Sequence, residues 1–580
     1  MTLIVYLVCL ALLSFLLRNW SQRFRSLLIT GFNLVFAALM FFSVQVHPGM
    51  TGGEVFALVG SILSAAPSAI AFQGDASLFG PDASYVFFLM SIYTVRAVLI
   101  LFFRGLFIRT RMKWRLATRK TIYIISGARK DAARFIEDLN RCRAHPAIVY
   151  LSGQEAGDAL LDAYEAAPSF LQRLKKSKDY QVLLLPAKGQ YNYQQLLKLE
   201  ELGKQGMALR VTAFVDNELL RMEDMAFPHL NLYLLSQEQA VVQDFLCQHL
   251  PLAHLRQLDP PPEPGHIFRP QSPFSLCLIG FGAFSQEFLL QTYENAAFTT
   301  ASGRPALEVL VIDQDLAGKQ AAFLSDFPHF AQAPGLQWLD AHIPSAILMQ
   351  ALSTKSFHQI LVATPDTEEN IRLALRLRRL FGRCAPGRPH PQLVVALFQE
   401  DPGAVALLSS DENVIFQQVN QRQFTYEKLV ARSADRQAEE IHQRYQHNSL
   451  FTPEWRELGS FTQASNRAAV WDIPNKLLLA GDVSGLTPQA RETLFWELAQ
   501  YEHLRWNAFH FARGWLPLPQ EELTREEREQ CRIKRPLEKR HACLVDWDQL
   551  DGLPQQEPGI LKRYDYENVA YLFPAAQEKA

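Results

Sequence analysis

Residues 274–288, FSLCLIGFGAFSQEF, run from an apolar segment through closely spaced glycines into a helix-like stretch. The loop reads Gly280-x-Gly282-x-x-Ser285. Its first glycine permits a tight turn, its second lets backbone approach a pyrophosphate at a helix N-terminus, and small Ser285 stands where a third glycine normally allows close helix–strand packing. Asp313 ends the next apolar segment, LEVLVIDQD, where a carboxylate can accept from a ribose hydroxyl. Thr364 follows a further apolar run and is expected beside the same ligand. The constellation is that of a nucleotide site. A dehydrogenase would also need a proton donor placed near a nicotinamide, and no His, Lys or Tyr is placed by motif to act as one. The ligand is expected to be sensed and not turned over.

A second concentration of polar side chains lies in LAQYEHLRWNAFHFARGW, where Glu502, His503, Arg505 and Trp506 crowd two helical turns. Asn466 and Arg467 lie on an earlier segment. Arginine pairs with phosphate bidentately and tryptophan offers a stacking face for a base. A buried polar network is the other reading, because buried charged groups need partners. Trp506 is equally a core residue, since it cannot share one helix face with Arg505. His and Glu side by side do not make a metal site here, as H-E-x-x-H and a second ligand pair are absent from the sequence.

The elements that must carry these residues are legible from periodicity. TIYIISG, AIVYLSG, YQVLLLPA, LRVTAFV and LNLYLL alternate with helical stretches between Thr121 and Leu235, the pattern of a parallel sheet covered on both faces. Its first turn, SGARKDA, has a single glycine and reads as a degenerate copy. A proline-rich linker, Leu258–Pro273, is followed by the same order of elements again, from FSLCLIG to QLVVALF. This is an internal duplication of domain size. From about residue 430 the spacing turns helical, including Lys539–Trp547, and strand pattern disappears.

The N-terminal hundred residues belong to a membrane. Leu3–Leu17, Leu27–Val46 and Tyr85–Phe103 approach the length that crosses a hydrocarbon layer. Arg18, Arg23 and Arg25 separate the first two spans, a run of Lys and Arg from Arg104 to Lys120 follows the third, and residues 47–84 contain neither. Positive residues stay inside, so the N-terminus is expected outside and the C-terminal domains in the cytoplasm. Val55–Phe72 is then expected to re-enter from the outer face, as a pore loop with Pro67 and Ser68 at its turn or as a small-residue packing helix. Arg96 within the third span either lines a water-filled path or pairs structurally. No potassium-filter motif is present in the sequence.

A net charge of −2 over 580 residues gives no basic field for nucleic acid. The seven cysteines are scattered and never spaced C-x-x-C, so neither a disulfide framework nor a zinc site is written.

LVATPDTEENIRLALRLR, together with the glycine loop, resembles the TrkA-N or RCK domains, Rossmann-like regulators of potassium channels and transporters; the resemblance implies NAD or an adenine nucleotide as a ligand that is bound without turnover. The segments around Ile441-His442 and Tyr445, Ser465-Asn466-Arg467, Glu502-His503-x-Arg505-Trp506 with Gly514-Trp515, and His541-x-x-Leu544-Val545-x-Trp547 resemble the prokaryotic ryanodine-receptor repeat, the RyR domain. The sequence departs from that repeat after Trp515, where LPLPQEELTREEREQC replaces its Tyr-Gly and Arg-Asp. These resemblances imply residues 1–110 as transmembrane region, 119–255 and 272–425 as α/β Rossmann-like domains of RCK type, 430–555 as an all-α RyR domain and 556–580 as a tail. They imply a homo-oligomeric bacterial inner-membrane protein, with a tetramer favoured, gated by a nucleotide-derived ligand: an ion channel or membrane effector of a signalling or defence system. A membrane-tethered NAD-processing enzyme and a regulatory subunit of a separate cation transporter are the alternatives.

Overall fold

The computed structural model describes residues 28, 31, 110–151, 163–186, 191–216, 227, 229–259, 262–382, 390–399, 413–419, 424–448 and 454–573. Apart from Leu28 and Gly31 of the second, the three expected spans lie outside these, as do Arg96 in the third and the re-entrant segment with Pro67 and Ser68. Among the described residues no helix is long and apolar enough to cross a membrane. The chain divides into two compact units, residues 1–119 with 158–164 and residues 120–157 with 165–580.

Two six-stranded sheets dominate the second unit. The first, from β1 (Thr121–Ser126), β2 (Ala147–Leu151), β3 (Tyr164–Ala166), β4 (Asp179–Leu184), β5 (Ala208–Phe214) and β6 (Asn231–Leu235), has the order β3-β2-β1-β4-β5-β6. The other, from β7 (Phe274–Ile279), β8 (Leu307–Asp313), β9 (Leu336–Asp340), β10 (Gln359–Val362), β11 (Gln392–Leu397) and β12 (Val414–Gln418), has the order β12-β11-β10-β7-β8-β9. Read in sequence order both are 3-2-1-4-5-6, the doubly wound Rossmann topology, with the switch point beside the first strand of each. In β7 and β10 the pairing is parallel and in register from Leu276↔Gln359 to Ile279↔Val362. Such strands are buried on both faces, which is why they are apolar throughout instead of alternating. Of the four edge strands, β3, β9 and β12 are short or half-exposed and escape a search for apolar runs, whereas β6 keeps one.

Helices cover the faces. They include α1 (Arg129–Cys142), α2 (Tyr191–Lys204) and α3 (Gln237–Gln248) in the first copy, and α4 (Ala283–Asn295), α5 (Leu316–Asp326) and α6 (Thr367–Phe381) in the second. In α6 the ends are specified locally. Asp366 caps the backbone N–H groups of Glu368 and Glu369, acids fill the first turn, and Arg378 and Arg379 fill the last, each charge opposing the helix macrodipole.

One side of the second sheet, with Leu276, Leu278, Val311, Leu361 and Val394, forms a continuous core with Val242 and Phe245 of α3 and with Leu479, Leu494 and Leu498 of the C-terminal helices. Phe245 and Phe288 meet with ring centroids 5.5 Å apart. Each large side chain so buried contributes about 1.5–3 kcal/mol relative to exposure, and the shared core explains why these segments form one compact unit.

The C-terminal part contains α7 (Ser433–Asn448), α8 (Ser460–Trp471), α9 (Ile473–Ala480), α10 (Pro488–Phe511) and α11 (Ile560–Leu572). The all-α expectation needs correction. Leu516–Pro517, Lys534–Arg535 and Arg540–His541 form a three-stranded sheet, so Lys539–Trp547 is not a helix. Pro536 and the left-handed backbone of Lys539, at φ 50°, deny helical continuity at its start.

Candidate functional site

Gly280 lies at the end of β7 with φ +88°, and a Cβ there would sit 2.5 Å from the Ala363 carbonyl oxygen. The first glycine is therefore demanded by the protein itself, through both dihedral and close approach. Gly282 is different. It is the N-cap of α4 in ordinary extended geometry, φ −85° and ψ −176°, and a Cβ would meet nothing within 4 Å. Neither its backbone nor its neighbours require it to lack a side chain. Three residues on, Ser285 is fully buried in the first turn of α4, and its Oγ has no hydrogen-bond partner.

Asp313 closes β8 beside this loop. Its Oδ2 accepts from the Phe281 N–H at 2.6 Å and from Lys319 Nζ at 2.7 Å, and its Oδ1 accepts from the Asp315 N–H at 2.9 Å and from Lys319 at 2.7 Å. Burial raises the carboxyl's pKa, but the hydrogen bonds from Lys319 and the backbone outweigh it and hold the group below the usual range. About four lone-pair sites exist on a carboxylate, and these four bonds take them all. Asp313 organises the loop and brings a cation to it; a ribose hydroxyl would have to take the place of one of these donors.

Thr364 is also engaged. Its N–H and Oγ1 both donate to Asn370 Oδ1, at 2.8 and 2.7 Å, while Asn370 Nδ2 donates to the carbonyls of Thr364 and Ala396. The pair clasps the ends of β10 and β11. The first copy repeats this device: Asn192 Nδ2 donates to the carbonyls of Leu185 and Phe214. Gly127, at φ +136°, has Leu185 Cβ 2.6 Å from where its own Cβ would be. Gly127 thus matches Gly280, but the first copy's loop is one residue shorter: its helix N-cap is Ala128, where the second copy has Gly282, and Arg129 is already the first helical residue. The Arg129 guanidinium bonds Glu165 at 2.8 Å and lies over the Tyr150 ring.

In the C-terminal part the structure divides the expected cluster. Glu502 and Arg505 form a bidentate pair at 2.8 Å, and Lys476 joins Glu502 at 2.8 Å and Asp472 at 2.7 Å. Glu502, Arg505 and Lys476 are all at least 97% buried. Burial works against the Glu502 charge, but Arg505 and Lys476 hold its carboxyl down at about 2. His503 faces elsewhere, with Nε2 donating to the Val545 carbonyl at 2.8 Å. Trp506 packs among His510, at 3.9 Å between centroids, and His541, at 5.0 Å. Asn466 donates to the Thr462 carbonyl within its own helix. Arg467 pairs with Asp435 and Gln463 and stacks over Tyr233 at 4.6 Å. The buried-network reading fits Glu502 and Arg505, and Trp506 belongs to packed aromatic core.

Sequence reasoning passed over Lys319, Asn370, Asn192 and Arg432. The clasping asparagines had a signal in their common place, early in the helix after each fourth strand. Among the described residues no group of His, Cys, Asp and Glu could hold a metal ion.

No family model matches the chain, and no curated protein matches it. Among solved structures it is similar to one titled "GsuK Channel", with 13% identity, 71% of this chain and 82% of that chain covered and a TM-score of 0.31. A structure of a GsuK mutant shares 13% identity over 72% of this chain and 94% of that one, with a TM-score of 0.28.

Proposed function

We propose that the chain is a nucleotide-sensing, ligand-gated membrane protein in which the loop Gly280–Ser285 receives the phosphates of an adenine nucleotide or NAD. The observation that carries this reading is Gly282: it caps a 13-residue helix, leaves open space where a Cβ would be, and has no internal reason to be glycine. A ligand approaching the backbone supplies that reason. The orphaned Ser285 hydroxyl in the same turn and the Lys319 ammonium beside Asp313 add a polar group and a cation suited to phosphate. Lys319 turning to the phosphate would free Asp313 acceptor sites for a ribose hydroxyl.

Binding would act by population shift, favouring one arrangement of the duplicated sheets and the C-terminal helical part over another. That part, with its resemblance to the RyR repeat, would relay the change or bind a second ligand. The N-terminal spans would respond as a channel or membrane effector, in a homo-oligomer of the bacterial inner membrane with its C-terminal domains in the cytoplasm.

Gly282→Asp tests the site. Aspartate is a favoured N-cap in this backbone geometry, so the helix keeps its start, while the carboxylate repels phosphate. ADP, ATP and NAD are titrated against the full-length protein, and nucleotide-dependent ion flux is followed in liposomes holding only this chain. Loss of binding and flux in a folded variant is expected. Unchanged nucleotide affinity would refute the site, and steady-state turnover of NAD or ATP would assign an enzyme instead.

A further inference from the structure

After β12 the chain returns to the first sheet before entering α7. Thr212 Oγ1, on β5, donates to the Leu429 carbonyl at 2.8 Å, and the Tyr426 N–H donates to Asp138 at 2.6 Å. Beneath this returning segment lies a cavity of about 440 Å³, bounded by β6 and α3 of the first copy, β12 of the second and Trp471 of α8. Its walls include the aromatic side chains of Tyr233, Phe416, Phe424 and Trp471. A volume in this range suits a small molecule.

Arg432, which lines the cavity, is 92% buried and holds a left-handed backbone, φ 42°, that non-glycine residues rarely adopt. Its Nη2 donates to Asn231 Oδ1 at 2.8 Å and its Nε lies 3.1 Å from Asp435. Its Nη1 has no hydrogen-bond partner. Arg467 draws on the same Asp435 carboxylate. Two buried guanidinium groups thus share one carboxylate, and the surplus is positive. The other charged groups on the wall do not remove it: Asp244 pairs with Lys428, and Glu427 is exposed. Burial pulls the Arg432 pKa down to about 10 against the pull of Asp435, as expected for a cation whose compensation is incomplete.

We infer that this cavity is a second ligand site, for a small planar anion whose phosphate or carboxylate pairs with Arg432 and whose ring packs among Tyr233, Phe416, Phe424 and Trp471. Guanidinium matches such oxyanions through parallel hydrogen bonds, and the aromatic walls provide stacking faces. The site is independent of the Gly280–Ser285 loop and touches both sheets and the C-terminal helices, so an occupant would couple all three.

The probes are AMP with adenosine, for a phosphate, and benzoate with benzyl alcohol, for a carboxylate. They are titrated calorimetrically against full-length Gly282→Asp protein, so that the loop does not contribute. Saturable binding of AMP or benzoate is expected, at least about tenfold tighter than that of its uncharged partner, since a charge-assisted hydrogen bond is lost. Arg432→Gln should abolish that preference. Ala240→Phe, on the α3 wall, disturbs no hydrogen bond of Arg432 and fills the cavity; it should eliminate binding even if Arg432→Gln does not fold. Absence of saturable binding by both anions, equal affinity for charged and uncharged partners, or full affinity in Ala240→Phe would overturn the inference. Which anion binds distinguishes phosphate from carboxylate. ATP affinity compared between Ala240→Phe protein with and without Gly282→Asp, the cavity being filled in both, judges the loop separately.

Discussion

Replacing Glu502 by Gln should cost the C-terminal part about 3–5 kcal/mol. The change removes one of two carboxylates, Glu502 and Asp472, from a cluster whose cations, Lys476 and Arg505, are 2% and 3% exposed. Breaking a buried ion pair from one side typically costs that much, because the remaining charge stays desolvated. A second route gives a similar figure. A glutamate held at about 2 instead of 4.5 contributes about 3 kcal/mol, at 1.36 kcal/mol per pKa unit. The carboxyl is depressed in the fold, so this contribution is complete above pH 4.5 and is lost as pH falls towards 2. Urea unfolding at pH 7, followed by the fluorescence of Trp496, Trp506, Trp515 and Trp547, reads the change. A Glu502→Leu/Arg505→Met double variant should recover much of the loss, since Lys476 keeps Asp472. A Glu502→Gln variant within about 1 kcal/mol of the parent protein would show that the network is not the support described.

The two loop glycines should behave oppositely. Gly280→Ala combines a left-handed dihedral with a contact at 2.5 Å and should destabilise by more than about 3 kcal/mol, whereas Gly282→Ser should stay within about 1 kcal/mol and lose nucleotide affinity; thermal unfolding with and without ATP separates the two. Burial, with Lys534 and His503 adding to it, pushes His541 down to about 3, so its contribution is full above about pH 6.5 and declines as pH falls towards 3, by up to about 1.4 kcal/mol per pH unit. His541→Asn should make the stability of the C-terminal part less steeply dependent on pH between 6.5 and 4, as measured by urea unfolding across that range.

How much the sequence disclosed depends on which interactions are local. Strands β1 and β7 are apolar because both faces are covered, so a one-dimensional pattern suffices to find them. The edge strand β9, with residues such as Gln337 and Asp340 on it, carries no such pattern. Gly280 and Gly282 were recognisable as a pair, yet the difference between them depends on Ala363, more than 80 residues away in the chain. Asp313 was correctly located at the end of its strand, but its saturation by Lys319 requires the turn into α5 to bring the two together. Glu502 and Arg505 are three residues apart in one helix, a spacing that permits pairing; their burial comes from Lys476 and the surrounding helices. Arg432 carried no sequence signal, because its setting is assembled from Asn231, Tyr233 and Asp435.

The two copies of the sheet separate what folding demands of a loop from what it leaves open. Gly127 and Asn192 answer to folding, because the turn and the clasp are needed whether or not anything binds. The place of Gly282 is different, since neither its dihedrals nor its neighbours exclude a side chain; in the first copy Arg129, two residues after the turn glycine, pairs with Glu165. Mutational tolerance should therefore be unequal at matched positions: the turn glycines and clasping asparagines equally intolerant in both halves, the helix N-cap permissive in the first half and restrictive in the second.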